Sequence, residues 1–338
     1  MRPSFLPRLV NGPFEDPVLF IPFLFEKRAV LFDLGDIHNL SAKDILKINH
    51  VFITHTHMDH FVGFDRLLRL LLGREKRLCL YGPEGFLKNI EGKLEGYSWN
   101  LVENYANRFT IQAFEVHPEF LISRTYLCQN NFRSTTATTS AHFDGMLLEE
   151  PALTVSAVIL DHGIPCLGFS IAERFHVNIM RDRVCELGLD IGPWLREFKQ
   201  ALYNDADPAS SFEVKSEEAH SSGRRFVLKD LADRIARITP GQKVTYIADV
   251  AYSRSNPEKI VAFARDSDHL FIEAAFLEKH RDIAAEKGHL TAWQAGTLAA
   301  KASVKQLTPF HFSPRYTGEA HLLYQEAMDA YRAQLTDT

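Results

Sequence analysis

The sequence predicts an α/β sandwich, two sheets lined on their outer sides by helices. Short apolar, β-prone runs are followed by segments of helical spacing near both ends of the chain, and residues 176–243 between them are polar and broken. One of the predicted strands ends in a run dense in metal-binding residue types, at positions 55–60.

The 338 residues, 46% hydrophobic and 24% charged, can bury a large core and exclude a disordered or fibrous chain. We expect one domain over residues 1–338, with residues 176–243 as an arm inserted within it. A formal charge of -5 argues against binding nucleic acid through overall charge, so any such role needs a local basic patch. The four cysteines, Cys79, Cys128, Cys166 and Cys185, are widely spaced and suggest neither a disulfide framework nor a thiolate metal knuckle. The apolar stretch Pro17 to Phe25 is too short to span a bilayer and lacks the marks of a signal peptide, so a cytoplasmic protein is expected.

Taken in order, Val18 to Ile21, Val30 to Phe32 and Val51 to Thr54 are the first strands, with Glu26-Lys27 as a turn. Phe61, Phe64, Leu67, Leu68 and Leu71 then recur at helical spacing until Gly73. Leu78 to Tyr81 is a strand ended by Gly82-Pro83. Further strands are expected at 110–116, 153–160, 166–171, 244–248 and 269–273, and helices near 256–265, 291–303 and 318–332. In the arm, Gly192-Pro193, Asp205 to Ser211 and Ser221-Ser222-Gly223 break the chain. From Arg224 to Lys243 it carries Arg224, Arg225, Lys229, Arg234, Arg237 and Lys243 against Asp230 and Asp233, which is the local basic patch. A solvated helix face with mixed charges is an equal reading of that composition.

His55-Thr56-His57-Met58-Asp59-His60 carries the chemistry. Where the chain is extended, positions two apart point the same way, so His55, His57 and Asp59 can converge on one centre while His60 turns toward a second. Imidazoles and carboxylates suit zinc and similar borderline ions. His162, Asp249 and His311 each end a strand-like run and supply the remaining ligands. Taken singly, such residues are more often surface or satisfied core groups; beside the cluster they form a set. Asp33, after Val30 to Phe32, is expected to orient the ligand loop by hydrogen bonds. The remaining histidines apart from His289, His220 among them, lack such a setting and are read as structural.

These residues resemble the metallo-β-lactamase superfamily. Within it, the chain from about Val30 to Tyr331 is similar to the ribonuclease Z family, which removes 3′ trailers from tRNA precursors. The specific carriers are Leu160-Asp161-His162-Gly163-Ile164-Pro165, Gly168-Phe169, Glu273-Ala274-Ala275-Phe276, His289-Leu290-Thr291-Ala292 and His311-Phe312-Ser313-Pro314-Arg315-Tyr316. The resemblance implies a four-layer αββα sandwich with an inserted, projecting arm. It implies two divalent metal ions, with zinc expected: one on His55, His57 and His162, the other on Asp59, His60 and His311, and Asp249 bridging. A hydroxide between the ions would be the nucleophile, oriented or deprotonated by Asp59, and His289, positioned by Glu273, would protonate the leaving oxygen. Ser313 and Arg315 are candidates for phosphate binding. Leu187 to Pro193 is similar to the start of the arm with which the family grips tRNA, and the family forms homodimers. Expected partners are thus tRNA precursors or other RNA, and small phosphodiesters.

The departures lie on the substrate side. The family's Pro-x-Lys-x-Arg-Asn loop has no counterpart, and the chain runs Asn11-Gly12-Pro13-Phe14-Glu15-Asp16-Pro17 instead. The family's Gly-Glu-Gly-Thr-Gln becomes Gly35-Asp36-Ile37-His38-Asn39.

The leading expectation is a metal-dependent phosphodiesterase acting on RNA 3′ ends or smaller phosphodiesters. A hydrolase of lactones or sulfate esters on the same scaffold is the alternative, and His289 with Glu273 favours the phosphodiester because a leaving alkoxide needs a proton. A non-catalytic RNA-binding relative would not need all seven ligand-type residues. A redox di-iron protein would carry Glu where this chain has His57.

Overall fold

The computed structural model describes residues 4–24, 26–134, 138–214 and 223–335. By its contacts the chain forms two compact units: Phe5–Leu147, Val155–Ile171 and Lys243–Thr338 make the larger, and Met1–Ser4, Leu148–Thr154 and Ala172–Gln242 the smaller.

Among the described residues, the first sheet has eight strands that neighbour one another in chain order, from Arg8–Leu9 through Leu19–Pro22, Ala29–Phe32, Ile48–Phe52, Lys76–Pro83, Phe109–Val116 and Phe120–Leu127 to Thr139–His142. Its four central strands, Ala29–Phe32 to Phe109–Val116, are parallel. The second sheet has six strands, in the order Leu307–Phe310, His269–Glu273, Lys243–Ile247, Pro165–Glu173, Leu153–Asp161 and Met146–Glu150, and the first three are parallel. Parallel strands send their carboxyl ends to one rim, where open α/β sheets bind ligands.

The two sheets meet through aromatic rings. Phe32 of the first lies 5.4 Å from Phe169 and 5.9 Å from Tyr246 of the second, and Phe52 lies 5.6 Å from Phe169. All four are fully buried, which contributes roughly 6–12 kcal/mol of transfer free energy before the entropy of ordering them. On the outer face of the first sheet, helices Phe64–Leu71 and Phe86–Glu95 pack Phe64, Leu67 and Ile90 against Leu31, Val51 and Leu80. Over the second, helices Asn256–Ala264, Ala292–Lys301 and Ala320–Leu335 pack Ile260, Leu298 and Leu323 against Ile247, Leu270 and Ile272. Four layers result, helix, sheet, sheet, helix, as the sequence leads one to expect. Gly296 lets the last two helices touch: a Cβ there would stand 2.0 Å from the Ala327 carbonyl oxygen.

The helix after the histidine cluster is not continuous. Met58–Phe61 and Phe64–Leu71 are separate helices because the chain yields at Gly63 to the loop after the third strand. A Cβ on Gly63 would lie 2.2 Å from the Gly35 carbonyl oxygen, and the Gly63 N–H donates to the Leu34 carbonyl at 2.9 Å. This contact seats the Asp33 loop against the cluster. Strands Phe120–Leu127 and Thr139–His142 and helix Phe86–Glu95 are not anticipated by the sequence reading.

The smaller unit has its own core. Strand Phe175–Ile179 pairs antiparallel with Ala236–Pro240, and Ser211–Val214 with Arg224–Val227. Helices Arg181–Glu186, Trp194–Tyr203 and Leu228–Ile235 enclose Val184, Trp194, Phe198, Leu231 and Ile235. The expected breaks at Ser221-Ser222, together with His220, lie outside the described residues. No helix among the described residues is long and apolar enough to cross a membrane.

Candidate metal centre

The strand Ile48–Phe52 delivers His55, and the alternation expected from an extended chain holds as far as His57. Helix Met58–Phe61 begins there, so Asp59 does not join His55 and His57 as strand periodicity predicts; it turns with His60 to a neighbouring centre. Two groups of ligand atoms result, each gathered within 4.8 Å: His55, His57, His162 and Asp249, and Asp59, His60, Asp249 and His311. Asp249 is common to both. The structure therefore brings together all seven ligand-type residues, from strand ends of both sheets.

Burial differs across the set and decides what each can do. His55 and His60 are fully buried and Asp249 nearly so, whereas His57 is exposed and the Asp59 side chain keeps 41% of its surface. Asp249 Oδ2 lies 3.6 Å from His55 Nε2, 3.4 Å from His60 Nε2 and 3.7 Å from His162 Nε2, while its Oδ1 lies 2.8 Å from His311 Nδ1. Neither His55 Nε2 nor His60 Nε2 makes a hydrogen bond among the described residues, although both are buried. A buried polar atom without a partner costs on the order of 1–3 kcal/mol. Imidazole nitrogens and carboxylate oxygens aimed at a common point fit a divalent cation, which would satisfy them.

The charges within the site are tied to one another. Burial lowers His55 to about 2, and the nearby His60 adds to it, so His55 is neutral, as a ligand must be. For Asp59, burial works upward, but the hydrogen bond from His311 and the charge of His60 outweigh it and bring the carboxyl to about 2. His311 is lifted to about 10, since Asp249 overcomes the effect of burial.

An outer layer fixes these groups. Asp33 is fully buried at a left-handed φ of 58°, and its Oδ1 accepts from the Thr54 N–H at 2.7 Å and the Thr54 hydroxyl at 2.9 Å. Its Oδ2 takes the Tyr246 hydroxyl at 3.0 Å and stands 2.9 Å from His60 Nδ1, which leaves His60 Nε2 toward the centre. His162 Nδ1 meets the Gly288 carbonyl at 2.7 Å in the same manner. Sequence reasoning placed Asp33 but missed Thr54, Tyr246 and Gly288; Thr54, the residue before His55, was open to discovery from its position.

His289 Nδ1 lies 2.9 Å from Glu273 Oε2, and Glu273 Oε1 accepts from the Val250 N–H at 2.6 Å. Glu273, His289, Asp249 and His311 also form a cluster of ligand-type atoms. Beside Asp59, His289 and His311 a cavity of about 340 Å³ opens, with Ser313 in its wall. Arg315 is exposed and lies outside that wall. A larger cavity of about 770 Å³, around Glu91, Arg124 and Phe132, holds no such cluster among the described residues.

The fold is a metallo-β-lactamase fold, and with the sequence similarities given next it marks a metal-dependent hydrolase. A family model described as a beta-lactamase superfamily domain matches residues 206–312. The structure is similar to the metallo-beta-lactamase fold protein YhfI from Bacillus subtilis, with a TM-score of 0.53 at 14% identity over 96% of this chain and 92% of that one. Human tRNase Z, short form, matches with a TM-score of 0.52 at 19% identity over 93% of each chain. In sequence the chain is ribonuclease Z-like: it is 28% identical over 290 residues to ribonuclease Z of Deinococcus radiodurans, covering 85% of this chain and 83% of that protein. With ribonuclease Z of Bacillus subtilis it shares 28% over 320 residues, covering 92% and 87%.

Proposed function

We propose that the chain is a two-metal phosphodiesterase that hydrolyses RNA near its 3′ end, the activity its resemblance to ribonuclease Z implies. The observation that carries the reading is the pair of ligand groups sharing Asp249, with the His289–Glu273 pair beside them.

His55, His57, His162 and Asp249 would hold one divalent ion, zinc by the donor set, and Asp59, His60, His311 and Asp249 the other. Two such cations supply a water of lowered pKa and offset the charge that develops on the attacking and leaving oxygens. The chain's own groups do the rest. Asp59, partly open to the cavity, orients the attacking water. Glu273 holds Nδ1 of His289, so Nε2 is the nitrogen that donates. Burial works to lower His289, but the Glu273 carboxylate prevails and raises it, which favours the protonated imidazole. As the phosphorus–oxygen bond breaks, that proton passes to the leaving alkoxide.

Free cysteines suit the reducing cytoplasm, where we place the reaction: Cys79, Cys128 and Cys166 are buried and Cys185 is exposed and unpaired. The test is incubation of the zinc-loaded chain with a tRNA precursor bearing a 3′ trailer, in parallel with bis(p-nitrophenyl) phosphate, a lactone and an aryl sulfate. Release of the trailer supports the full reading. Turnover of the nitrophenyl diester alone retains the phosphodiesterase and removes RNA; turnover of only the lactone or the sulfate overturns it.

A further inference from the structure

The cavity beside Asp59 and His311 has a wall of unusual charge for a site that would bind nucleic acid. Asn11 to Asp16 fold against the site. The Pro13 carbonyl accepts from the Phe312 N–H at 2.7 Å, and the Phe14 ring packs edge-on against Phe312 at 5.7 Å. This docking puts Phe14, Glu15 and Asp16 in the cavity wall.

Both carboxylates are held in place by backbone donors. Glu15 Oε2 accepts from the Gly12 N–H at 2.6 Å, and Asp16 Oδ2 from the Asp36 N–H at 3.2 Å. Asn11 braces the loop by donating to the Asp16 and Asp36 carbonyls at 2.8 and 2.7 Å. Gly35 lies beneath: a Cβ there would be 2.5 Å from the Asp16 Cβ and 2.4 Å from the Asp59 carbonyl oxygen, so Asp16 and Asp59 are neighbours across one glycine. In the same wall Lys287 is the one lysine or arginine among the described residues; His289, His311, Asp59 and Ser313 face the metal centre, and Ala275, Phe276, Phe312 and Pro314 are apolar.

From this geometry we infer that Glu15 and Asp16 set the substrate specificity of the site. They admit a neutral, base-like group on the cavity side of the scissile phosphate and reject a second phosphate there. The inference rests on the phosphodiesterase reading above and narrows it: the substrate is a terminal phosphodiester, with a nucleoside bearing no further phosphate as one of its two alcohols. A volume of about 340 Å³ is at the small end of ligand pockets and suits one nucleoside. Phe14 and Phe276 offer it aromatic surface. A second phosphate would meet two carboxylates, Asp16 half-buried and Glu15 exposed, and like charges repel more strongly where water is partly excluded.

The experiment compares kcat/KM of the zinc-loaded protein on a dinucleoside monophosphate with that on the same molecule carrying one extra phosphate at its 5′ end or at its 3′ end. The unphosphorylated substrate should be preferred over at least one of the others by about tenfold or more. In the double substitution E15Q/D16N, which keeps both acceptors' shape, that preference should narrow to about twofold by a gain on the phosphorylated substrate. In the unsubstituted protein, 0.5 M salt should narrow it as well, a readout that needs no variant. Equal rates on all three substrates, or a preference that survives both salt and substitution, overturns the inference while leaving the phosphodiesterase standing. Failure to turn over any phosphodiester, nitrophenyl diesters included, removes the phosphodiesterase reading and this one with it.

Discussion

Glu273 Oε2 stands 2.9 Å from His289 Nδ1, and the other oxygen of the same carboxylate receives the Val250 N–H, next to Asp249. One fully buried carboxylate thus fixes both an imidazole at the cavity and the strand end that presents the residue shared by the two ligand groups. The arrangement separates proton donation from metal binding, and the two can be tested apart.

His289→Ala should lower kcat by roughly 100-fold or more on a substrate with a poor leaving group, the usual worth of a general acid. On a nitrophenyl ester the loss should be far smaller, because nitrophenolate leaves without a proton. Equal losses on both substrates would deny His289 the role of donor.

Asp249 serves both ligand groups whereas His57 serves one, so their substitutions should differ in stoichiometry. Elemental analysis of the parent protein should give close to two ions per chain; His57→Ala should lose about one, and Asp249→Ala most of both. Chelation should lower thermal stability, since an ion bound at 100 times its Kd stabilises the folded chain by about 2.7 kcal/mol. Equal metal content in the two variants would contradict the shared role.

Asp33 reaches the centre only through other groups. Asp33→Asn should weaken metal binding by roughly 10- to 100-fold, the common cost of losing an outer partner of a ligand, because His60 would no longer be held with Nε2 inward. Metal affinity measured by competition with a chelator reads this directly. Unchanged affinity in a folded variant would reduce Asp33 to a purely structural group.

Burial lowers His269 to about 4 where it sits in the second sheet, 2.7 Å from the Thr308 hydroxyl. The unfolded chain, with its histidine near the ordinary value of 6.5, takes up the proton first as pH falls. The group therefore costs nothing above about pH 6.5, and stability declines from there toward pH 4, by at most about 1.4 kcal/mol per pH unit and less for a partly exposed ring. His269→Gln should flatten that decline. Urea midpoints of the two proteins at pH 7.5 and pH 5 give the comparison, and parallel losses would show that His269 does not contribute.

Most of the site was legible because its residues obey a simple rule: His162, Asp249 and His311 follow short apolar runs, and those runs are strands. The division of the ligands was less legible. Strand periodicity groups Asp59 with His55 and His57, and only the helix that starts at Met58 redirects it. The left-handed backbone at Asp33, Asp249 and His311, with φ of 58°, 43° and 58°, was invisible as well. Aspartate and histidine enter this region more readily than most side chains, but propensity does not say which of the many in the chain do; tertiary contacts around the site select these three. The fold of residues 176–243 was hidden for another reason. Its core is small, a few residues such as Val184, Trp194 and Phe198 dispersed among polar ones, and composition reads as a broken arm what is packed around a hydrophobic centre.

The smaller unit carries several basic side chains between residues 224 and 240. Arg225, Arg234 and Arg237 are exposed, while Lys229 is engaged with Asp233 at 2.6 Å and Arg224 donates to the Leu187 carbonyl at 2.6 Å. If the unit binds RNA, the first three are the residues placed to meet phosphates. Each phosphate contact releases counterions, so the logarithm of affinity should fall linearly with the logarithm of salt, and each contact removed should reduce the slope by roughly 1. Replacing Arg225, Arg234 and Arg237 by Ala should therefore flatten the salt dependence of tRNA precursor binding by roughly 3 and weaken binding most at low salt. All three are surface residues, so the fold should tolerate the change. Turnover of bis(p-nitrophenyl) phosphate should persist, because none of the three belongs to the ligand groups or the cavity wall. An unaltered slope would mean that these arginines face solvent alone. Loss of both activities in a folded variant would mean that these arginines act on the chemistry rather than on RNA capture.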